Sequence, residues 1–204
     1  MSHPEADFWD RVYEGDAYRF GLAPNAFLVE RTGRIAPGGR VLCIGDGEGR
    51  NGVWLAGRGF AVTSLDQSPV AALKCAQLAT RLGVALEVAI GRLPEYPLPK
   101  DGFDAVVLIF VHLEPEVRRA VHAAALRALR PGGVVILEAF NPAQLGRPSG
   151  GPPMRERLQT KADLAEDFAG LEHVVLEETE TELDEGDGHR GPAAVVRLVA
   201  LKRA

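Results

Sequence analysis

The sequence has 204 residues, of which 46% are hydrophobic and 25% are charged. This length suits one α/β domain with a sizeable core, and the composition is that of an ordinary globular protein. The formal net charge is −5, and no dense run of Lys and Arg occurs. Because nucleic-acid binding requires a basic surface to neutralise phosphates, the composition argues against a nucleic-acid partner.

The cysteines and the first residues of the chain indicate the compartment. Cys43 lies in an apolar strand-like run and Cys75 in a helix-like run, which predicts packed, reduced thiols and no disulfide. Residues 1–5 have neither the basic patch nor the apolar stretch of a signal peptide. The apolar run at 105–111 is too short to cross a membrane, which takes about 20 residues. We therefore expect a cytoplasmic protein that makes no use of a membrane.

Short apolar runs alternate with helical patterns from Arg40 onward. Ser68 and Pro69 are typical of a helix start, and Gly83 of a helix end. The alternation predicts an α/β fold with a Rossmann-like, doubly wound sheet that has helices on both faces. Strands are predicted at 41–44, 61–65, 84–90, 103–111 and 134–139, and helices at 51–58, 69–82 and from 115 to the turn at 130–133.

The last third of the chain departs from this alternation. Residues 141–153 are rich in Pro and Gly and predict a long loop, which a helix at 160–168 follows. Two strand-like runs, 173–182 and 193–202, flank the turn-rich residues 184–188. Because that connection is too short for a crossover helix, the last two strands should pair as an antiparallel hairpin.

The first 39 residues precede the first strand and are dense in aromatic side chains. Such a segment either packs against the sheet or covers the carboxyl ends of the strands. We favour a helical lid at 1–39 over a main domain at 40–204, with Tyr13 and Tyr18 near the ligand. The aromatic residues are Phe8, Trp9, Tyr13, Tyr18, Phe20 and Phe27.

Three alternating glycines, Gly45, Gly47 and Gly49, follow the first predicted strand directly. Glycine lets the backbone turn sharply and lets a ligand approach closely. Open α/β sheets bind ligands at this edge, and Asp66, at the end of the second strand, could accept hydrogen bonds from ribose hydroxyls. A nicotinamide dinucleotide would require a third glycine at the position of Arg50, whose bulk speaks against it.

Three motifs carry a resemblance to a known family: Gly47-Glu48-Gly49-Arg50-Asn51, Phe20-Gly21 through Pro24-Asn25, and Phe110-Val111-His112-Leu113. With them the chain resembles the class I S-adenosylmethionine-dependent methyltransferases, and among these the tellurite-resistance and thiopurine methyltransferase-like proteins. The resemblance implies a seven-stranded sheet of order 3-2-1-4-5-7-6 with the last strand antiparallel. It also implies S-adenosylmethionine as cofactor, bound by Tyr13, Tyr18, Gly45, Gly47, Glu48, Gly49, Arg50, Asp66, Gln67, Arg92, Leu93 and Phe110.

The sequence departs from the family pattern at two positions. The acidic residue that usually stands two positions before the first loop glycine is Cys43 here. The acidic residue that often binds the adenine amine would fall at Gly91, so adenine would depend on backbone groups around Arg92 and Leu93. These departures keep open a second hypothesis, a protein that binds S-adenosylmethionine without catalysis.

Two histidines are candidates for the chemistry. His112 follows the fourth strand, where it could accept a proton from the nucleophile or orient it, or merely contact cofactor or solvent. His189, beside Arg190 in the last connection, could touch the substrate, but we expect a solvated turn residue. Because neither the histidines nor the cysteines cluster, no metal site is predicted.

Polar residues after the fifth strand are further candidates. Glu138, Phe140 and Asn141 could line the substrate side. Arginines of the Pro/Gly loop, Arg147, Arg155 and Arg157, could clamp an anionic substrate or form a solvated face; the solvated face is the more common outcome.

The leading functional hypothesis is methyl transfer to a small-molecule acceptor, with a soft sulfur, selenium or tellurium nucleophile as one option. A non-catalytic cofactor-binding protein and, less favoured, a nicotinamide-dependent oxidoreductase are the alternatives. The sequence does not indicate the oligomeric state or the identity of the acceptor.

Overall fold

The computed structural model describes residues 4–203, so the outermost residues of the predicted segments 1–39 and 40–204, Met1–His3 and Ala204, lie outside it. Within that range, six α-helices and seven strands follow one another. The helices are α1 (Pro4–Val12), α2 (Ala26–Arg31), α3 (Arg50–Ala56), α4 (Pro69–Leu82), α5 (Pro115–Ala128) and α6 (Lys161–Asp167). The strands are β1 (Arg40–Ile44), β2 (Ala61–Asp66), β3 (Glu87–Ile90), β4 (Phe103–Ile109), β5 (Leu129–Phe140), β6 (Glu172–Glu185) and β7 (His189–Leu201).

The seven strands form one sheet in the order β3-β2-β1-β4-β5-β7-β6, which confirms the order that the family resemblance implies. The five strands from β3 to β5 run parallel. β7 is antiparallel to both β5 and β6, as the predicted hairpin requires. The carboxyl ends of β1, β2 and β4 therefore meet at one edge, and the ligand crevice of such a sheet lies there.

Side chains that alternate along β1 divide between the two faces of the sheet. Leu42 and Ile44 pack with helices α5 and α6. Val41 and Cys43 pack on the opposite face with α2 and α3. Helices thus cover both faces, and the predicted buried, reduced state of Cys43 and Cys75 is confirmed.

Local signals set the ends of α4 and α6. The Ser68 hydroxyl accepts a hydrogen bond from Ala71 N, and Gly83, in the left-handed conformation, ends the helix, as predicted. Thr160 and Asp163 form a reciprocal capping box at the start of α6.

Two strand boundaries differ from the prediction. β3 begins at Glu87 and not at residue 84, because Val84 N still donates to Ala79 O in the cap of α4. β4 ends at Ile109 and not at residue 111, because Phe110 turns the chain with a φ of +55° while its N–H donates to Glu138 O.

The ends of the last three strands also differ from the prediction. The turn at Pro131–Gly133 becomes part of β5, because Gly132 N donates to Lys202 O at 2.7 Å and Lys202 N donates to Gly133 O at 2.9 Å. Glu185 pairs with His189, so β6 and β7 are longer than predicted and residues 186–188 alone connect them.

Among residues 4–203, no helix is long and apolar enough to cross a membrane.

Candidate functional site

A cavity of about 420 Å³ opens at the carboxyl ends of β1, β2 and β4. Its volume lies in the range of small-molecule and cofactor sites. Of the residues with a predicted cofactor role, the structure places these on its wall: Tyr13, Gly45, Gly47, Glu48, Arg50, Asp66, Gln67, Arg92, Leu93 and Phe110. His112, the predicted catalytic residue, also lines it, whereas Tyr18 and Gly49 do not.

The glycine loop turns the chain back over the end of β1. Gly45 N donates to Leu65 O at 2.8 Å, which ties the loop to β2. Gly49 has a φ of +86°, and a side chain there would overlap the sulfur of Cys75. Gly49 is therefore required for the close approach of α3 and α4, and its contact with the cofactor stays a prediction.

Asp46 supports the loop from beneath. Its Oδ2 accepts from the Ser64 hydroxyl at 2.7 Å, and its carboxylate also accepts from Gly52 N near the start of α3. Burial raises the pKa of Asp46 to about 7, against the opposing hydrogen bonds from Ser64 and Gly52. The loop thus has a carboxylate within it, although Cys43 occupies the usual acidic position.

Asp66 and Gln67 provide acceptors beside the loop. Asp66 Oδ2 accepts from Gly47 N at 2.8 Å and Oδ1 from Ser68 N at 2.9 Å. Because a carboxylate offers about four acceptor positions, this arrangement leaves acceptor capacity on the cavity side. Burial raises the pKa of Asp66. Gln67 Oε1 is buried with no hydrogen-bond partner among the described residues, so it is an acceptor in need of a donor.

The loop after β3 leaves no room for an acidic side chain. A side chain at Gly91 would overlap the ring of Tyr96, and Gly91 N donates to Asp66 O at 2.9 Å. Arg92 and Leu93 lie on the cavity wall. Tyr96 thus fills the space into which the acidic residue of the family would project.

The segment after α1 is fixed to α4 and to the glycine loop through a buried ion pair. Lys74 Nζ lies 2.5 Å from Glu48 Oε1 and donates to three backbone carbonyls between Tyr13 and Ala17. Glu48 Oε2 accepts from Arg19 N at 2.7 Å. Glu48 therefore anchors the N-terminal segment, a role that the sequence did not suggest.

The two N-terminal tyrosines have different environments. Tyr13 is buried above the loop, where a side chain at Gly47 would lie 2.7 Å from its hydroxyl oxygen. Burial, and then the nearby Asp66, raise the pKa of Tyr13. Tyr18 points away from the cavity, donates to Lys74 O at 3.0 Å and packs beneath Arg81. Its predicted cofactor contact stays a prediction, and in this structure its hydroxyl is bound to α4.

The opposite end of the cavity is aromatic. The rings of Phe110 and Phe140 have centroids 4.6 Å apart, and His112 stacks on Phe140 at 5.3 Å. His112 Nδ1 lies 3.3 Å from Arg157 O, which identifies Nδ1 as the protonated nitrogen and Nε2 as the acceptor. Nε2 is buried and has no hydrogen-bond partner among the described residues. Burial lowers the pKa of His112 to about 3, so the ring is neutral.

His189 belongs to this aromatic end, and the expectation of a solvated turn residue is wrong. It is 7% exposed and lines the cavity, with Phe20 and Phe110 at centroid distances of 4.5 and 4.6 Å. The cause is the length of β6 and β7: because Glu185 pairs with His189, His189 is the first residue of β7 and not part of the turn. Its Nδ1 lies 3.4 Å from Glu185 Oε2, and burial lowers its pKa.

Glu138 faces a buried polar network and not the cavity, which corrects the prediction for the end of β5. Arg197 Nε lies 2.7 Å from Glu138 Oε1, and Asn25 Nδ2 donates to both Glu138 and Glu185. Arg50 completes the network with Nη2 2.7 Å from Glu185 Oε2. Despite burial, the contacts with His189 and Arg50 hold the pKa of Glu185 at about 2.

Other predicted polar residues lie away from the site. Asn141 is buried and donates to Val195 O, and it does not line the cavity. Arg147 pairs with Glu180 on the outside, whereas Arg157 lines the cavity. Among residues 4–203, no group of three or more His, Cys, Asp or Glu side chains is placed to hold a metal ion.

Comparison with known proteins shows that the chain is similar to methyltransferases. A family model described as a methyltransferase domain matches residues 41–133, which span β1 to the start of β5. A thiopurine S-methyltransferase of Xanthobacter autotrophicus is 29% identical over 185 residues, which cover 78% of this chain and 85% of the relative. These two matches and the strand order together support a class I S-adenosylmethionine-dependent methyltransferase.

Solved structures agree with the methyltransferase fold. A protein solved in a study of the conversion of a disulfide bond into a thioacetal group during echinomycin biosynthesis has a TM-score of 0.78 and 22% identity, and the match covers 97% of this chain and 91% of that one. TehB from Haemophilus influenzae has a TM-score of 0.73 and 20% identity, over 98% of this chain and 67% of TehB. At these identities the likeness concerns the fold alone.

The cavity of the methyltransferase fits its cofactor, S-adenosylmethionine. The loop exposes Gly45 to the cavity, where a side chain would lie 2.9 Å from Val111. Asp66 and Gln67 offer acceptors for hydroxyl and amine groups on the same wall. Arg50, at the position of the third glycine of a dinucleotide loop, is buried and paired with Glu185, so the nicotinamide alternative is not supported.

Proposed function

We propose that this methyltransferase acts on a small-molecule acceptor through a soft sulfur, selenium or tellurium nucleophile. The observation that supports it is the weak basicity of the aromatic end of the cavity. The proton-accepting side chains described there are His112 and His189, and burial lowers the pKa of both, to about 3 for His112. An oxygen or amine acceptor must lose a proton, whereas a thiolate-type nucleophile needs little help from a base.

The chain positions the reactants, and that is most of what this reaction requires. When bound, S-adenosylmethionine would supply the methyl group of its sulfonium. A lone pair of the acceptor would form the new bond to the methyl carbon while the carbon–sulfur bond breaks. We assign Asp66 and Gln67 to the ribose, and backbone groups at Arg92 and Leu93 to the adenine. Holding the nucleophile about 3 Å from the methyl carbon and in line supplies much of the acceleration.

His112 fits the role of an orienting group better than that of a base. Its Nε2 is a buried acceptor without a partner among the described residues, so it can accept a hydrogen bond from the acceptor molecule. Its low pKa makes a full proton transfer to it unfavourable. The sulfur acceptor named in the thiopurine S-methyltransferase relative supports the same class of nucleophile.

Three further expectations belong to this proposal. Residues 1–39 act as the cover of the cavity, since α1 and the segment to Phe20 contribute Trp9, Tyr13 and Phe20 to its wall. The acidic composition predicts no nucleic-acid substrate. The cytoplasmic location remains a prediction.

The test is methyl transfer from labelled S-adenosylmethionine to a panel of thiols, selenols, tellurite, phenols and amines. We expect product with the soft nucleophiles. Transfer to phenols or amines alone would refute the proposal, as would cofactor binding by calorimetry without transfer to any member.

A variant of His112 tests its orienting role. H112A should slow turnover more than it weakens cofactor binding, because His112 lines the cavity and its Nε2 has no hydrogen-bond partner among the described residues. H173A is the matched control, since His173 bonds Phe168 O away from the cavity. Equal loss of turnover and cofactor affinity in H112A would count against the role.

A further inference from the structure

Two guanidinium groups from separate loops converge on one carboxylate at the mouth of the cavity. Arg92, after β3, has Nη1 3.9 Å from Oε2 of Glu5. Arg157, before α6, has Nη2 3.5 Å from Oε1 of Glu5. All three residues line the cavity, and Glu5 belongs to α1. Each carboxylate oxygen of Glu5 thus faces an arginine.

Each arginine is also held from its other side by the main domain. Arg92 Nη2 lies 2.9 Å from Glu95 Oε1, and Arg157 Nε lies 2.6 Å from Glu114 Oε1. Each guanidinium group at the mouth therefore has a carboxylate contact within the main domain in addition to Glu5.

We propose that Arg92 and Arg157 form a subsite for an anionic group of the methyl acceptor, and that Glu5 occupies this subsite until the acceptor displaces it. The inference rests on the proposed function, since it concerns the same acceptor. Guanidinium groups suit carboxylates and similar oxyanions, and the bound carboxylate of Glu5 already has the required chemistry. The apolar side chains of Phe8 and Met154 at the same mouth suit an apolar body.

Arg157 links this subsite to His112. Its carbonyl accepts from His112 Nδ1, and its guanidinium faces Glu5. Because the proposed function places the nucleophile beside His112, the proposal separates the anion from the nucleophile by about the length of one arginine side chain. A benzene ring with substituents at opposite positions has a comparable span. The chemical class is a small, flat acceptor with a soft nucleophile at one end and a carboxylate or similar oxyanion at the other.

The test compares 4-mercaptobenzoate with 4-methylbenzenethiol, which has a similar shape and no carboxylate. In R157Q, kcat/KM should fall roughly five- to tenfold for mercaptobenzoate and stay within about twofold for the neutral thiol, because partly exposed ion pairs contribute about 1 kcal/mol. E5Q should improve KM for mercaptobenzoate. R147Q is the matched control, because Arg147 pairs with Glu180 outside the cavity; it should change neither thiol.

Two results would overturn the subsite. An equal loss for both thiols in R157Q would mean that Arg157 acts through its loop and not through the anion. An equal gain in E5Q and E95Q would mean that any lost negative charge near Arg92 has the same effect.

Failure of the proposed function can be separated from failure of the subsite by a binding measurement. If neither thiol is methylated, calorimetry with S-adenosylhomocysteine present can compare 4-(methylthio)benzoate with its neutral 4-methyl analogue. Tighter binding of the benzoate, lost in R157Q and retained in R147Q, supports the subsite. Equal binding of the two compounds refutes it.

Discussion

Replacing Asp46 with asparagine should remove a pH dependence of stability that the natural protein carries. Burial raises the pKa of this carboxyl from 3.8 to about 7. The folded state therefore binds this proton more tightly than the unfolded state does. The contribution to stability is fully present below the unfolded pKa of 3.8, and it is lost as the pH rises through about 7.

The shift sets the size of the effect. About three pKa units correspond to roughly 4 kcal/mol, at about 1.4 kcal/mol for each unit. From about pH 5 to about pH 8 the natural protein should lose roughly 3 kcal/mol from this group, because the unfolded carboxylate is already ionised there. An asparagine has no such proton, so D46N should lack this slope.

Urea unfolding of both proteins across that pH range measures the effect directly. All other titrating groups are shared, so the difference in free energy of unfolding between D46N and the natural protein isolates Asp46. We expect this difference to shift in favour of D46N as the pH rises. D16N, which removes an exposed carboxylate, is the control. A difference between D46N and the natural protein that stays constant with pH would refute the argument from burial.

Three other changes have definite outcomes. E185Q should lower the free energy of unfolding by roughly 3–5 kcal/mol at neutral pH, because it leaves the buried Arg50 without its carboxylate partner. In the natural protein the Glu185 carboxylate makes its full contribution to stability above its unfolded pKa of 4.5, and this contribution is lost as the pH falls through about 2. Urea unfolding at a series of pH values measures both effects. G91D should weaken cofactor binding in calorimetry and cost about 1–3 kcal/mol of stability, with partial recovery in G91D/Y96A, since the ring of Tyr96 occupies the space. Burial raises the pKa of the Cys75 thiol to about 12, so iodoacetamide should label Cys75 only as fast as the protein unfolds. Rapid labelling of Cys75 in the folded protein would contradict this.

The sheet was predictable because its signals are local. Apolar runs, the Ser68 cap and the Gly83 stop each depend on neighbours within one element, and the structure confirms them. The strand order came from the family resemblance, since pairing of β1 with β4 joins residues about sixty positions apart. The boundaries that differed, at Phe110 and at residues 131–133, depend on contacts with a neighbouring strand that no local pattern contains.

The site was predictable in position but not in every role. The glycine loop and Asp66 could be placed because the carboxyl ends of parallel strands share one edge. The burial of His189 could not, because it requires β7 to lie beside rings from three distant segments. Tyr13 and Tyr18 were both expected near the cofactor as part of an aromatic N-terminal lid, but the sequence of an irregular segment does not determine which way a side chain faces.

The loss of the usual acidic residue at Cys43 changes how the glycine loop is supported. Asp46 joins the loop to Ser64 of β2 and to the start of α3, while Glu48 joins it to Lys74 and the N-terminal segment. The second contact connects the glycine loop to the N-terminal segment that contains Tyr13. The glycine loop and the N-terminal segment thus share one buried ion pair. Disrupting Glu48 would therefore remove a contact of the N-terminal segment as well as a contact of the loop itself.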